Sequence, residues 1–272
     1  ILVLGPAGYG KTTSVLDFLA ESGRKYAWLH ISQDIDSAAS FLSYLIHSLK
    51  VLNPAFGDET LELINSFVQS DLFNRDETNT IHAAVGSLLN EFVEHFQDEA
   101  FLVADDLHNI EEASWLGSIF DSLTENFPDN LHLIITSRNT PVFNISRLKA
   151  KRKLAVIESG DLNFTADETE RLLKEIYSLK YKKEDVSLLI DKFEGWITGL
   201  HLILQTYGIE FNKITAEKQE LGGDLFNYFA EDIFAQLDEK TRDFLLSTSM
   251  LDSFTQELCA SVLKLEGSST IP

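Results

Sequence analysis

Apolar positions along the chain alternate between short unbroken runs and longer stretches at helical spacing. Residues 1–4 are apolar and lead into a glycine-rich turn, and residues 13–19 beyond it are amphipathic. That pattern predicts strand, loop and helix. Residues 25–31 predict a second, short buried strand, followed by the polar Ser32, Asp34 and Asp36. Over residues 37–52, Phe41, Leu42, Leu45, Ile46 and Leu49 fall on one helical face, with Asp36 or Ser37 as N-cap. Residues 60–68 predict another helix and residues 71–78 a polar connection. Residues 81–96 predict a helix carrying Val85, Leu88, Leu89, Phe92 and Phe96 on one side.

Phe101-Leu102-Val103-Ala104 then runs into Asp105-Asp106. Four apolar residues ending in two carboxylates predict a buried parallel strand whose carboxyl end lies in a site. Residues 113–127 predict a helix, residues 131–136 a further strand ending in Ser137-Arg138, and residues 154–157 one more short strand. This alternation implies an α/β layered domain with a parallel sheet and flanking helices. Beyond residue 163 the strands stop. Thr165-x-x-Glu168 is a capping box. Helices are expected over 166–179, 183–193 and 198–207, with a break at Gly195-Trp196. Trp196 is expected in core packing. Residues 212–223 read as a polar connection, and 224–236, 239–249 and 255–263 as three more helices. The expected domains are therefore an α/β unit over 1–160, a helical unit over 161–212 and a truncated winged-helix-like unit over 213–272.

The turn after the first strand reads Gly5-Pro6-Ala7-Gly8-Tyr9-Gly10-Lys11-Thr12, which is G-x-x-x-x-G-K-T. With a strand before it and a helix after it, this is the phosphate-binding loop of a nucleoside triphosphatase. Glycines let successive backbone N–H groups converge on one concavity. The helix adds free N–H groups and the positive end of its dipole. Gly5, Gly8, Tyr9, Gly10, Lys11, Thr12 and Thr13 are the expected nucleotide-binding residues. Lys11 brings a point charge to the β- and γ-phosphates, and the Thr12 hydroxyl is a hard ligand for Mg²⁺. Asp105 is expected to hold the same ion, directly or through water. Asp106 is expected to polarise the attacking water, since phosphoryl transfer needs positioning and charge neutralisation more than covalent chemistry. Arg138, just past a strand, is expected to read the γ-phosphate through charge-assisted hydrogen bonds. The three sites all fall at carboxyl ends of strands, where ligands of such sheets sit. His108 and Asn109 follow the two aspartates; a hydrogen-bonding loop role for His108 is favoured over that of a base.

Composition narrows the partners. The net charge is −21 over 272 residues, which repels nucleic acid and anionic membranes unless basic residues are segregated. The one basic cluster, Arg147, Lys149, Lys151, Arg152 and Lys153, reads as a solvated loop or strand edge, so no direct nucleic-acid contact is expected from this chain. A single cysteine, Cys259, excludes an internal disulfide and fits a reducing, cytoplasmic compartment. No apolar run approaches the roughly 18–20 residues needed to cross a bilayer. The seven histidines show no ligand spacing with cysteine, so no zinc site is expected. The chain opens inside a strand without an initiator Met, as an excised fragment would.

Several stretches together resemble a family. They are A-G-Y-G-K-T-T (7–13), F-L-V-A-D-D-L-H (101–108), I-I-T-S-R-N-T-P (134–141), L-N-F-T-A-D-E-T (162–169), G-W-I-T-G-L-H-L (195–202) and R-D-F-L-L-S-T-S-M-L-D (242–252). The chain resembles the ATPase region of the maltose-regulon activator and its LuxR-type relatives, which are signal-transduction ATPases with numerous domains. The resemblance covers nearly the whole chain. It implies a nucleotide-binding domain, a helical lid and a winged-helix domain, in that order. It also implies an ADP-bound resting state, ATP-promoted self-association, and C-terminal sensor and DNA-binding domains outside this sequence. Relatives with a lid proline use it near adenine; residues 195–200 have none, so no lid contact is assigned. Ser32 and Ile35 stand where relatives often carry Asp, and no arginine finger is named. The expected function is a slowly hydrolysing ATP switch in a transcriptional regulator. The rivals are an AAA-type motor or loader and a non-hydrolysing scaffold held by nucleotide.

Overall fold

A computed structural model describes residues 1–207, 234 and 237–249. It divides into two compact units, Ile1–Phe164 and Thr165–Pro272. The first contains five parallel strands: β1 (Leu2–Leu4), β2 (Tyr26–His30), β3 (Ala100–Asp105), β4 (Leu131–Ser137) and β5 (Val156–Ile157). Their order across the sheet is β2-β3-β4-β1-β5. β4 therefore separates the strand that feeds the glycine loop from the strand that carries the two aspartates. β3 is buried along its whole length, as a central parallel strand covered on both faces requires.

The helices cover the sheet on two faces. On one side, α1 (Lys11–Ser22) lays Val15 and Leu19 against Val3, Phe101, Val103 and Ile134. The larger core on the other side gathers α2 (Ala38–Lys50), α3 (Asp58–Gln69), α5 (Glu77–His95) and α6 (Leu116–Glu125). Phe41, Phe56, Phe92 and Phe120 are fully buried there. Ser37, one of two expected caps, caps α2 by accepting from the Ser40 N–H.

Two connections contain more helix than their polarity suggests. Residues 71–78 include a helical turn, α4 (Leu72–Arg75), and α5 begins at Glu77 instead of residue 81. Short polar side chains hold that start: Asn79 Nδ2 donates to both Asp76 oxygens at 2.9 and 3.1 Å, and Thr80 N–H bonds the Asp76 carbonyl at 3.0 Å. The basic cluster is likewise part helix and part turn. Arg147 and Lys149 lie in α7 (Ile145–Ala150), which Asn144 caps by accepting from the Arg147 N–H at 3.2 Å. Lys151, Arg152 and Lys153 follow, with Arg152 in a left-handed turn at φ 57°. A short α8 (Ser159–Leu162) follows β5.

The second unit has only helices among its described residues. Thr165 and Glu168 form the capping box that starts α9 (Ala166–Arg171). α9 runs on into a wider turn, Leu172–Ile176, closed by Tyr177 N–H on the Leu172 carbonyl at 3.2 Å. The helix expected to reach residue 179 therefore ends early. α10 (Lys183–Phe193) and α11 (Ile197–Tyr207) meet at Gly195, whose φ of 77° makes the break. Trp196 is 9% exposed and packs beside Gly199, where an added Cβ would clash with the indole. One further helix, Glu239–Thr248, is capped by Asp238. The helices expected over 224–236 and 255–263, the connection over 212–223 and Cys259 lie outside the described residues, apart from the isolated residue 234.

One buried contact ties the larger core together. The N-cap of α3 is Gly57, which has no side chain to offer. Glu91 of α5, 5% exposed, replaces it. Its oxygens accept from Gly57 N–H at 3.1 Å, Thr60 N–H at 2.9 Å and the Thr60 hydroxyl. Glu91→Ala strands these buried donors at a cost of about 1–3 kcal/mol each. Urea denaturation should show a loss of about 3 kcal/mol for Glu91→Ala and a smaller one for Glu91→Gln, which keeps an acceptor. Equal stability of Glu91→Ala and the parent would contradict this cap.

Candidate nucleotide-binding site

The loop between β1 and α1 is fixed at both ends. Gly5 N–H bonds the Ser137 carbonyl at 3.2 Å, which anchors the loop to the end of β4. Gly8 and Gly10 take φ of 76° and 78°, the left-handed region that glycine enters without strain. Gly10 is the N-cap of α1, so the helix's free N–H groups open into the loop. The helix begins at Lys11, two residues before the amphipathic pattern does.

Lys11 is buried, and its ammonium donates to the Gly5 carbonyl at 2.8 Å and the Pro6 carbonyl at 3.0 Å. Burial lowers its pKa; Asp106 raises it, Arg138 lowers it and Asp105 raises it. One electrostatic cluster therefore contains all four charged residues expected from the sequence. Gly5 is buried, Tyr9 is half-buried, and Thr13 is exposed on the first turn of α1.

Thr12 reaches across to β3. Its hydroxyl donates to Asp105 Oδ1 at 3.0 Å. The same oxygen accepts from the Thr136 hydroxyl of β4 at 2.6 Å. Thr136 Oγ1 in turn accepts the Asp106 N–H at 2.9 Å. Thr136 is fully buried and Asp105 is 3% exposed, so this chain of hydrogen bonds is shielded from water. It joins α1 to the adjacent strands β3 and β4. Thr136 was not among the residues singled out from sequence. Its signal was present: a small polar residue at the end of the apolar run Leu133-Ile134-Ile135.

Asp106 leaves the extended geometry of the strand. Its φ of 62° is left-handed, a conformation Asp tolerates better than most side chains. Its carboxylate lies between two histidines. His30 Nδ1 is 3.8 Å from Oδ2, and His108 Nδ1 is 3.8 Å from Oδ1. Burial, then the positive charge of Arg138, push the His108 pKa down to about 4, with Asp106 opposing and Lys11 adding to the shift. His108 is therefore neutral at physiological pH. Its buried Nδ1 has no hydrogen-bond partner. Asn109 secures the same turn by donating to the Ile31 carbonyl at 2.7 Å. His30 is the second residue the sequence reading missed; its proximity depends on β2 pairing with β3, with His30 opposite Asp105.

The donor set suits a magnesium–nucleotide. Thr12 and Asp105 supply hard oxygens side by side, Lys11 and Arg138 supply positive charge, and the glycine loop supplies backbone N–H groups. Arg138 is half-buried just past β4.

Comparison with known proteins places this architecture. Residues 1–138 match the family model described as Nephrocystin 3, N-terminal, and residues 230–271 match that of the MalT winged helix domain. Curated relatives include the HTH-type transcriptional regulator MalT of Vibrio campbellii, 28% identical over 98% of this chain and 29% of that protein. The regulator of the same name from Vibrio cholerae is 26% identical over 96% of this chain and 28% of that protein. The chain thus spans less than a third of the length of these relatives. Among solved structures, the Aeropyrum pernix ORC1 protein in complex with DNA aligns with 100% of this chain and 73% of its own, at TM-score 0.43 and 14% identity. A point mutant of Thermotoga maritima RuvB aligns with 97% of this chain and 75% of its own, at TM-score 0.43 and 13% identity. Among the described residues no helix is long and apolar enough to cross a membrane. With its five-stranded parallel sheet, its phosphate-binding loop and these two family matches, the chain belongs to the signal-transduction ATPases with numerous domains of the MalT type, its first half being a P-loop domain of the nephrocystin 3 N-terminal family.

Proposed function

We propose that this chain is the nucleotide-operated switch of a transcriptional regulator, binding ATP and ADP and hydrolysing ATP slowly. The observation that carries the proposal is the Thr12–Asp105–Thr136 network, which joins the phosphate loop to the aspartate strand. Loop N–H groups and Lys11 would bind the β- and γ-phosphates. Mg²⁺, held by Thr12 and Asp105, would neutralise phosphate charge. The Asp106 carboxylate, flanked by His30 and His108, would orient and polarise the attacking water. Arg138 would bind the γ-phosphate and so distinguish ATP from ADP. Thr136 is the positioning residue that fixes both aspartates.

The switch itself is a difference in nucleotide affinity between two arrangements of the P-loop domain, a helical lid over 161–212 and a winged-helix domain over 213–272. Moving such an equilibrium from 1:99 to 99:1 takes roughly 5.5 kcal/mol of differential binding. Charge-assisted contacts to one γ-phosphate, at roughly 1.5–3 kcal/mol each, supply much of that. In the resting state ADP is held; ATP promotes self-association; a sensor elsewhere in the longer protein sets the balance. Transcriptional control is the role the MalT relatives' names carry, and their length leaves room for further domains.

Lys11→Ala should abolish ATP binding in calorimetry. Asp106→Asn should bind ATP with parent-like affinity while phosphate release falls by about 10²–10⁴-fold. Full turnover in that variant would remove Asp106 from its role. Arg138→Ala should lose roughly tenfold or more in ATP affinity with ADP affinity unchanged. Equal losses for both nucleotides would show that Arg138 does not read the γ-phosphate.

A further inference from the structure

His30 ends β2 directly opposite Asp105 in the parallel ladder. Its Nδ1 lies 3.9 Å from Asp105 Oδ2 and 3.8 Å from Asp106 Oδ2. One ligand atom from each of the three residues lies within 4.8 Å of the others. Two ligand atoms that are each about 2.0–2.2 Å from one ion are at most about 4.4 Å apart. Both imidazole–carboxylate separations meet that limit.

The two carboxylates are unequal in a useful way. The Asp105 side chain is 5% exposed, and its Oδ1 is already held by Thr12 and Thr136, which leaves Oδ2 facing His30. The imidazole is 62% exposed and can turn to meet an ion. Adjacent carboxylates repel, and a divalent cation between them removes the repulsion. A nitrogen donor changes which cation fits. Mg²⁺ takes oxygen ligands and keeps its waters, whereas imidazole suits the borderline transition ions.

We propose that His30, Asp105 and Asp106 bind a borderline divalent cation, Zn²⁺ or Co²⁺ in preference to Mg²⁺, without nucleotide. The site shares its carboxylates with the switch described above, but it requires only these three side chains.

The test is Co²⁺ titration of chelator-treated protein, followed by visible absorption, with Zn²⁺ as competitor. The parent should bind one equivalent, displaced by Zn²⁺ and retained in a large excess of Mg²⁺. His30→Ser should weaken Co²⁺ binding at least about tenfold. His47→Ser, at an exposed histidine of α2, should leave it unchanged. Circular dichroism checks that both variants are folded. Absence of stoichiometric Co²⁺ binding in the parent, or parent-like binding in His30→Ser, overturns the proposal. Binding of a fluorescent ADP analogue with Mg²⁺, measured on the same samples, separates the two readings. Loss of nucleotide binding with Co²⁺ binding kept sinks the switch and leaves the cation site standing.

Discussion

One buried oxygen organises this domain. Asp105 Oδ1 accepts hydrogen bonds from Thr12 at the start of α1 and from Thr136 in β4. A carboxylate with 3% exposure needs such donors, because burying it unpaired costs several kcal/mol. The same bonds that satisfy it set the distance between the phosphate loop and the aspartate strand. Thr12 reaches Asp105 directly, although β4 lies between β1 and β3, and the Thr136 hydroxyl of β4 braces the same oxygen from that intervening strand. Structural need and site geometry are here the same interaction.

The network also divides the labour between two adjacent aspartates. Asp105 faces inward to Thr12 and Thr136. The left-handed backbone at Asp106 sends its carboxylate to the space between His30 and His108. Two neighbouring residues in an ordinary extended strand would point to opposite faces of the sheet. The turn after β3 instead keeps both at the strand's carboxyl end, within electrostatic reach of Lys11.

The local features of this arrangement were legible in the sequence. The loop spacing, the apolar run into Asp105-Asp106 and the Thr165 capping box each depend on neighbours along the chain. Features set by long-range packing were not. The position of β4 between β1 and β3, hence the part played by Thr136, follows from how parallel strands stack. So does the meeting of His30 with the aspartates, which depends on β2–β3 register. In the basic segment Arg147 and Lys149 are helical because Asn144 caps their helix, a local signal outweighed by their charge, whereas Lys151, Arg152 and Lys153 form the turn and connection expected of a solvated loop. Glu91 as a remote cap for α3 has no sequence spacing to reveal it, since its partners lie 31 and 34 residues away.

The proposed switch keeps one nucleotide on the loop between turnovers, held by the groups around Asp105. Native mass spectrometry of the protein as purified, under conditions that keep small ligands, tests this most directly. One ADP per chain is the predicted result. Nucleotide-free protein that also fails to take up added Mg·ATP would contradict it.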